Sequence, residues 1–493
     1  MESRQTFGRT VIYSSVEEIT KDNVADVLHD ALQTHVTNSA DIDYLYNYYK
    51  GKQPILYRQK QIRPEINNKI VENHALEIVD FDKGYVFGEP IQYVRRGEGD
   101  NVSEKIAQLN EYMFAEDKAA VDKQLAEWFY ICGTAYRMVL PAKDSPISPF
   151  NLGVLDPRYA FVVYRNNWRH TPLMGVKYIT NGSGDDAETI YSIYTKDRYF
   201  EVKDNQVING NGQPHLMTDI PIVEYPANNA RIGAFEPVVG MLDGLNMMVS
   251  NRMDGIEQFI QSFLKFVNCD ITSDKFDELK EQGAILIKSD SQNPADVDII
   301  SSELNQSQAQ ISKEDMYQMV LTICGIPDRN GGSRSTGDTG QAVILRDGWS
   351  AAESKARDVE LMFKGSEKRF LQMVLNLVNN TDGFNDLDLT LGDIDIKFTR
   401  NRTDNLLVKT QGMQDMLSAG IHPQVAISSV GLFSDPEPVY LDSVPYLEKW
   451  LTSVENSESS DNTAGNDREK PESRSSAEAN PQEKGRNDAD EAS

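Results

Sequence analysis

Residues 236–268, EPVVGMLDGLNMMVSNRMDGIEQFIQSFLKFVN, decide how the chain is organised. Val238, Val239, Leu242, Leu245, Val249, Ile256, Phe259, Ile260, Phe263 and Val267 recur at helical spacing, which predicts one helix over the whole stretch. At 1.5 Å per residue such a rod is on the order of 50 Å long. Asp243, Arg252, Asp254 and Glu257 interrupt it, so it is no membrane span, and a rod of that length packs on another long element or on another subunit. The residues that follow read as a tip and a return. Residues 269–311 form a compact α/β insert, with a short helix at 273–282, a strand at Ala284–Lys288 and another at Val297–Ile300. A shorter helix at 312–325 then carries Met316, Met319, Val320 and Ile323 on its apolar side. Long helix, small knob and return helix make a hairpin with a domain at its tip.

Upstream, apolar spacing predicts helices over 16–50 (Val24, Val27, Leu28, Leu32, Val36), 66–87 (Ile70, Ala75, Ile78, Val79, Phe81) and 102–132 (Ile106, Leu109, Met113, Val121, Leu125, Trp128). The first ends in Tyr44, Tyr46, Tyr48 and Tyr49 before Gly51, and the second is closed by Gly84, Gly88 and Pro90. From 134 to 226 the pattern changes to short β-branched and aromatic runs: Ala135–Leu140, Ala160–Tyr164, Gly175–Ile179, Thr189–Tyr194 and Tyr199–Val202. Gly/Asn/Asp-rich separators at 181–186 and 209–213 mark them as antiparallel strands joined by hairpins. Helices and strands are segregated rather than alternating, so the fold class is α+β.

Downstream, residues 329–340, RNGGSRSTGDTG, are a polar Gly/Ser-rich loop, and a long helical stretch at 340–380 follows with possible breaks at Gly348 and Gly365. Leu387, Leu389 and Leu391, then Ile394, Ile396 and Phe398, alternate and predict strands over 386–398. Residues 403–452 are again helical in pattern, and the acidic stretch from about 455 onward has no aromatic residue and reads as a disordered tail.

Composition narrows the function. A chain of 493 residues exceeds what one core usually organises, so two or more domains are expected. With 76 acidic against 49 basic residues, the net charge of -27 repels phosphate at long range. Any contact with DNA is therefore local or weak, unlike that of a tight sequence reader. Cys132, Cys269 and Cys324 lie far apart and suggest neither a disulfide framework nor a zinc site. The first residues lack the apolar core of a signal peptide, and no run of about 18 apolar residues suggests a membrane span.

The search for catalytic chemistry is empty. The loop at 329–340 is not closed by the GK[ST] of a phosphate-binding loop and does not match GxGxxG. His29, His35, His74, His170, His215 and His422 are scattered without ligand spacing, and no GxSxG elbow occurs. Asp382, Asp386, Asp388, Asp393 and Asp395 suggest a cation site less well than the polar face of a strand. No catalytic residue, cofactor or metal is expected. Arg329, Arg334 and Arg346, with Asn330, Ser333 and Ser335 between them, suit either a solvated loop or contact with a phosphate backbone, which needs charge but no base-specific geometry.

One stretch is more specific. Residues 43–94, with YYKGK, then NNKIVENHALEIVDF, then GYVFGEPIQY, resemble the start of phage portal proteins of the SPP1 type from Gram-positive hosts. Residues 336–370, from TGDTGQAVILRDGWS to EKRF, are similar to that family's Ser/Thr-Gly loop and long helix. The resemblance implies a multidomain wing, stem, clip and crown architecture, closed into a ring of about twelve subunits around a tunnel. On this chain it implies an N-terminal wing at 1–235, stem helices at 236–268 and 312–327, and a clip at 269–311. It further implies a tunnel loop within 328–350, a wing helix and strands at 351–402, a crown at 403–453 and the acidic tail at 454–493. The implied partners are other copies of the chain, double-stranded DNA passing without sequence specificity, the terminase large subunit, a head-completion or adaptor protein, and the major capsid and scaffolding proteins. The implied location is the capsid portal vertex of the virion, with the host cytoplasm during assembly. The competing readings are a packaging motor enzyme, whose Walker lysine and metal carboxylates are missing, and a minor head protein or scaffold without a conduit role.

Overall fold

The structure is a computed structural model, and it describes residues 4–96, 102–142, 145–182, 187–215, 217–260, 263–267, 296–300, 306–328, 348–381, 384, 387–400, 406–430, 432 and 439–446. The chain divides into two compact units, Met1–Asn405 and Leu406–Ser493.

In the first unit, β1 (Ile12–Ser14) leads into α1 (Val24–Tyr49), and α2 (His74–Val86) precedes β2 (Gln92–Arg95). The helical pattern over 102–132 is two helices, α3 (Val102–Ala115) and α4 (Lys118–Cys132). They part at Asp117, whose φ of 50° takes the backbone out of the right-handed helix. A strand-rich block follows: β3 (Thr134–Pro141), β4 (Phe150–Leu155), β5 (Ala160–Arg165), β6 (Pro172–Asn181), β7 (Glu188–Tyr194), β8 (Arg198–Lys203), β9 (Gln206–Val207), β10 (Gln213–Pro214) and β11 (Ile222–Pro226). Strands β5 to β8 form the antiparallel meander that their hairpin signals predict, with β10 at one edge and β9 also paired to β8. At the other edge β1 joins β5 in parallel, an exception to the all-antiparallel expectation, because α1 and the elements after it carry the chain across. A second sheet has the order β11-β3-β4.

The long rod is shorter than its periodicity predicts. A single 3-10 turn, Glu236–Val238, opens α5 (Val239–Ile260), and Phe263–Val267 is a strand, β12, paired with β13 (Asp296–Ile300). The run FLKFV is short and almost wholly apolar, a pattern that periodicity cannot assign to helix or buried strand, and the antiparallel ladder with Asp296–Ile300 decides between them. Strand β13 coincides with the expected strand at 297–300; the helix at 273–282 and strand at 284–288 lie outside the described residues. The return helix α6 (Gln306–Cys324) starts earlier than expected, and α7 (Trp349–Asn380) begins directly after Gly348 and runs unbroken through Gly365. Of the two strands read at 386–398 only β14 (Ile394–Lys397) forms, paired with β2. Leu387 and Leu389 are buried without a ladder, and Asp393 turns the chain by accepting hydrogen bonds from the Thr390 amide and hydroxyl. Burial, not strand pairing, accounts for that alternation.

Two apolar cores organise the unit. One joins the N-terminal half of α1 to the meander through Val24, Leu28, Phe161, Met174, Ile193 and Phe200. The other gathers α2, α4, α7 and the β11-β3-β4 sheet around Phe87, Phe129, Tyr225, Phe363 and Phe370. A closed ionic network sits inside the second core. The Glu367 carboxylate accepts from Tyr93 Oη (2.5 Å), Tyr225 Oη (2.7 Å) and Arg137 Nη1 (2.9 Å), with Lys118 Nζ at 2.9 Å. Asp122 takes the second lysine contact (2.5 Å) and the other end of Arg137. Two cations face two anions, so the buried charges balance, and the network ties α4, β3 and α7 in one register. Burial alone raises a carboxyl pKa, but Arg137, Lys118 and the two tyrosine hydroxyls outweigh it and hold Glu367 at about 2.

The second unit contains α8 (Leu406–Ser418) and α9 (Pro423–Val430), turned about Gly420 with φ of 79°, and a helical stretch at 439–446. Ala426 and Ile427 are buried.

Candidate functional site

The described part of the molecule with the clearest device is the base of the hairpin formed by α5 and α6. Helix α5 turns Leu242 and Leu245 into the core, as its apolar spacing predicts. It also carries a polar row at Asp243, Asn246, Ser250 and Asp254, at spacings of three and four on an adjacent face, the last three buried and Asp243 half-buried. That row holds a strap, residues 58–73, which turns at Arg63–Ile66 and runs extended from 67 to 73. The amides of Asn68, Ile70 and Glu72 donate to Asp254 Oδ1 (2.7 Å), Ser250 Oγ (3.0 Å) and Asn246 Oδ1 (2.8 Å) in turn. The match is geometric: two residues of extended chain advance about 6.6 Å and four residues of helix about 6 Å, so every second amide meets every fourth side chain. The strap is therefore not the start of a helix at 66, as its apolar spacing suggests, because its amides are committed to α5 and α2 begins only at His74.

Further contacts lock the strap. Asn246 Nδ2 donates to Gln53 Oε1 at 2.5 Å, Tyr48 Oη donates to Asp243 Oδ1 at 2.9 Å, and Lys60 Nζ reaches Asp254 Oδ2 at 3.0 Å. Burial favours protonated Asp254, yet the Asn68 amide and Lys60 outweigh it and keep its pKa below the ordinary value. Tyr48, Gln53, Asn68, Asn73 and His74 all belong to the stretch at 43–94 that carries the sequence resemblance, and the strap is what they build. Its signal was present in the sequence as polar residues at helical spacing on α5, which a search for apolar periodicity passes over.

The return helix is clasped to the same region. A side chain at Gly244 would meet Met316 Sδ at 3.2 Å, so α5 and α6 approach closely there. Lys313 Nζ donates to Glu72 Oε1 (2.5 Å) and Tyr317 Oη to Glu77 Oε1 (2.9 Å), while the His74 ring lies 4.6 Å from that of Tyr317. Burial lowers the pKa of a histidine, but Glu72 and Glu77 on either side of His74 overcome this and raise it to about 9. Val320 is buried, whereas Ile311, Met319 and Ile323 are each more than half exposed, with Met247 and Met253 exposed on α5. The hairpin thus carries an apolar face that the described residues of its own chain do not cover.

All six residues singled out for tunnel contact, Arg329, Asn330, Ser333, Arg334, Ser335 and Arg346, lie outside the described residues. The ends of their segment are described and lie together. A side chain at Gly348 (φ 85°) would stand 3.7 Å from Pro327 Cα, so the chain departs and returns at one place. Lys355 Nζ clamps that place, donating to Cys324 O and Asp82 Oδ2, both at 2.7 Å. Asp82 is fully buried, which raises its pKa, and Lys355 opposes the shift.

Among the described residues, no group of three or more His, Cys, Asp or Glu is placed to hold a metal ion, and no helix is long and apolar enough to cross a membrane. The family described as "Phage portal protein, SPP1 Gp6-like" matches residues 28–458. The chain belongs to that phage portal family, whose role is structural. Among solved structures, a chain of "Virion of native gene transfer agent (GTA) particle" matches with a TM-score of 0.45 and 11% identity, covering 80% of this chain and 94% of that one. A chain of "Neck of empty GTA particle computed with C6 symmetry" gives 0.42 and 11%, covering 73% and 90%. A search of the curated proteins returns no match.

Proposed function

We propose that this portal-family chain closes with its copies into a ring at one capsid vertex, through which double-stranded DNA enters and leaves, and that it catalyses nothing itself. The observation that carries the reading is the α5–α6 hairpin, held rigidly at its base and apolar on an uncovered face. A second copy covers such a face at no cost in unpaired polar groups, and head-to-tail repetition of one contact closes a ring. In this reading the hairpin is the stem, the segment from β12 to β13 and beyond is the clip where terminase and then a head-completion protein dock, and the second unit is the crown. Capsid and scaffolding proteins surround the ring in the virion, and assembly takes place in the host cytoplasm.

The segment between Pro327 and Gly348 is the tunnel loop. Arg329 and Arg334 steady DNA there through phosphate contacts, while the net charge of -27 keeps the remaining wall from holding it. The test is particle mass and rotational symmetry by native mass spectrometry and negative-stain averaging. A ring of about twelve copies with a central hole is expected for a cyclic assembly. A stable monomer or dimer across salt and concentration points instead to a minor head protein. Arg329→Ala with Arg334→Ala should leave the ring intact and change DNA packaging or retention; unchanged filling removes the tunnel role of these two residues.

A further inference from the structure

The loop between β9 and β10 holds two asparagine–glycine pairs in succession, Asn209–Gly210 and Asn211–Gly212. In such a pair no side chain shields the glycine amide nitrogen from the asparagine side-chain carbonyl before it. The fold treats the two pairs differently. On this edge of the meander, β8 pairs with β9 at Val202 and Lys203 and with β10 at Arg198 and Tyr199, which leaves Phe200 and Glu201 between the two ladders. The Asn209 side chain fills that gap. Its Oδ1 accepts from the Glu201 amide and its Nδ2 donates to the Tyr199 carbonyl, both at 3.0 Å. Asn209 is half-buried there, and it turns towards Gly210 only by giving up both bonds.

Asn211 is exposed, and its side chain is held by one contact, from Lys21 Nζ to Oδ1 at 3.0 Å. Lys21 is exposed as well, so water competes for both groups. Gly212 is fixed by packing. Its φ is 77°, and an added Cβ would stand 2.6 Å from the ring of Phe200, which is fully buried in the meander core. The contact that demands glycine at 212 therefore also keeps an unshielded amide beside Asn211. Asn181–Gly182 ends β6 with the residues after it outside the described set, so the two pairs of the loop are the ones the structure ranks.

We propose that Asn211 is a site of spontaneous covalent modification, deamidation to aspartate and isoaspartate, and that Asn209 is spared. The Gly212 nitrogen loses its proton and bonds to Asn211 Cγ, the Cγ–Nδ2 bond breaks, and ammonia leaves. Water then opens the cyclic imide at either carbonyl. One opening gives aspartate on an unchanged main chain, and the other gives isoaspartate, with the main chain routed through the former side chain. Both products set a carboxylate beside Lys21. Isoaspartate also lengthens the main chain by one carbon just before Gly212, which has no room against Phe200, so it displaces β10 from β8. The site stands independently of the ring reading.

The test follows the full chain, kept folded at mildly alkaline pH, by proteolysis and peptide sequencing in the mass spectrometer, with isoaspartate read by an isoaspartyl methyltransferase. Asn211 should convert about tenfold or more faster than Asn209, which must first break two hydrogen bonds. In urea the two rates should converge, since glycine follows both asparagines. Asn211→Ser should remove the isoaspartate signal from the loop, and chains carrying isoaspartate should exchange the Gln213 amide faster than unmodified ones. Equal rates in the folded chain, a faster Asn209, or a difference that persists in urea overturns the assignment. So does a folded chain in which Asn211 stays intact while the urea-unfolded chain converts.

Discussion

Helices α5 and α7 are both long and both anchored on the first unit, yet they are held by different chemistry. Helix α7 buries an apolar stripe, Ala352, Ala356, Val359, Phe363, Phe370, Val374 and Val378, with the Glu367 network set inside it. Helix α5 buries apolar residues on one side and, on the next, Asn246, Ser250 and Asp254, which hold the strap, with the half-buried Asp243 accepting from Tyr48 of α1. Apolar burial is non-directional and supplies most of the stability of a core. The polar row supplies less energy but sets register, because Asn246, Ser250 and Asp254 each accept one particular strap amide. A helix whose outer half must meet other subunits gains from such a base, which fixes its direction without covering its apolar face.

The sharpest way to break that contrast is to unbalance the α7 core. Arg137→Met leaves Glu367 and Asp122 buried with one cation between them and should cost about 3–5 kcal/mol. Denaturant unfolding measures it, and a cost under about 1 kcal/mol would mean that water reaches the network. The same network predicts acid sensitivity. Glu367 has a folded pKa lowered from 4.5 to about 2, so below 4.5 the unfolded chain binds the proton more readily. Its contribution is present in full above about 4.5 and disappears as pH falls towards 2, and Glu367→Gln should flatten that limb of the stability profile.

The strap should respond more locally. Asp254→Ala strips the Asn68 amide and Lys60 of their acceptor and should cost about 1–3 kcal/mol. Amide exchange at Asn68, Ile70 and Glu72 should accelerate while the α7 core stays protected; a global loss of protection would show that the two regions unfold as one. The His74 clasp gives a smaller effect of opposite sign. Its folded pKa is raised from 6.5 to about 9, so the clasp of Glu72, Glu77, Lys313 and Tyr317 contributes fully below 6.5 and weakens as pH rises through 9. An imidazole titration midpoint near 6.5 in the folded protein would remove the clasp. Smallest of all, Gly365→Ala should stabilise the isolated subunit by up to about 1 kcal/mol, since helix propensity improves and the new methyl meets nothing.

What the sequence by itself determined is what depends on local period. The meander strands, the α+β class, the hairpin plan and the helices carrying Leu28, Leu125 and Leu242 follow from spacing alone, because burying one face forces apolar residues to repeat at 2 or 3.6. The stretch at 43–94 was legible as specific without revealing why. Only the tertiary structure decided that FLKFV pairs with Asp296–Ile300 instead of extending α5, that 58–73 is a strap, and that Lys118, Asp122, Arg137 and Glu367 share one buried site. Each of these depends on a partner distant in the chain, over a hundred positions for the strap, and local spacing carries no record of the group that satisfies a hydrogen bond or a charge from so far away.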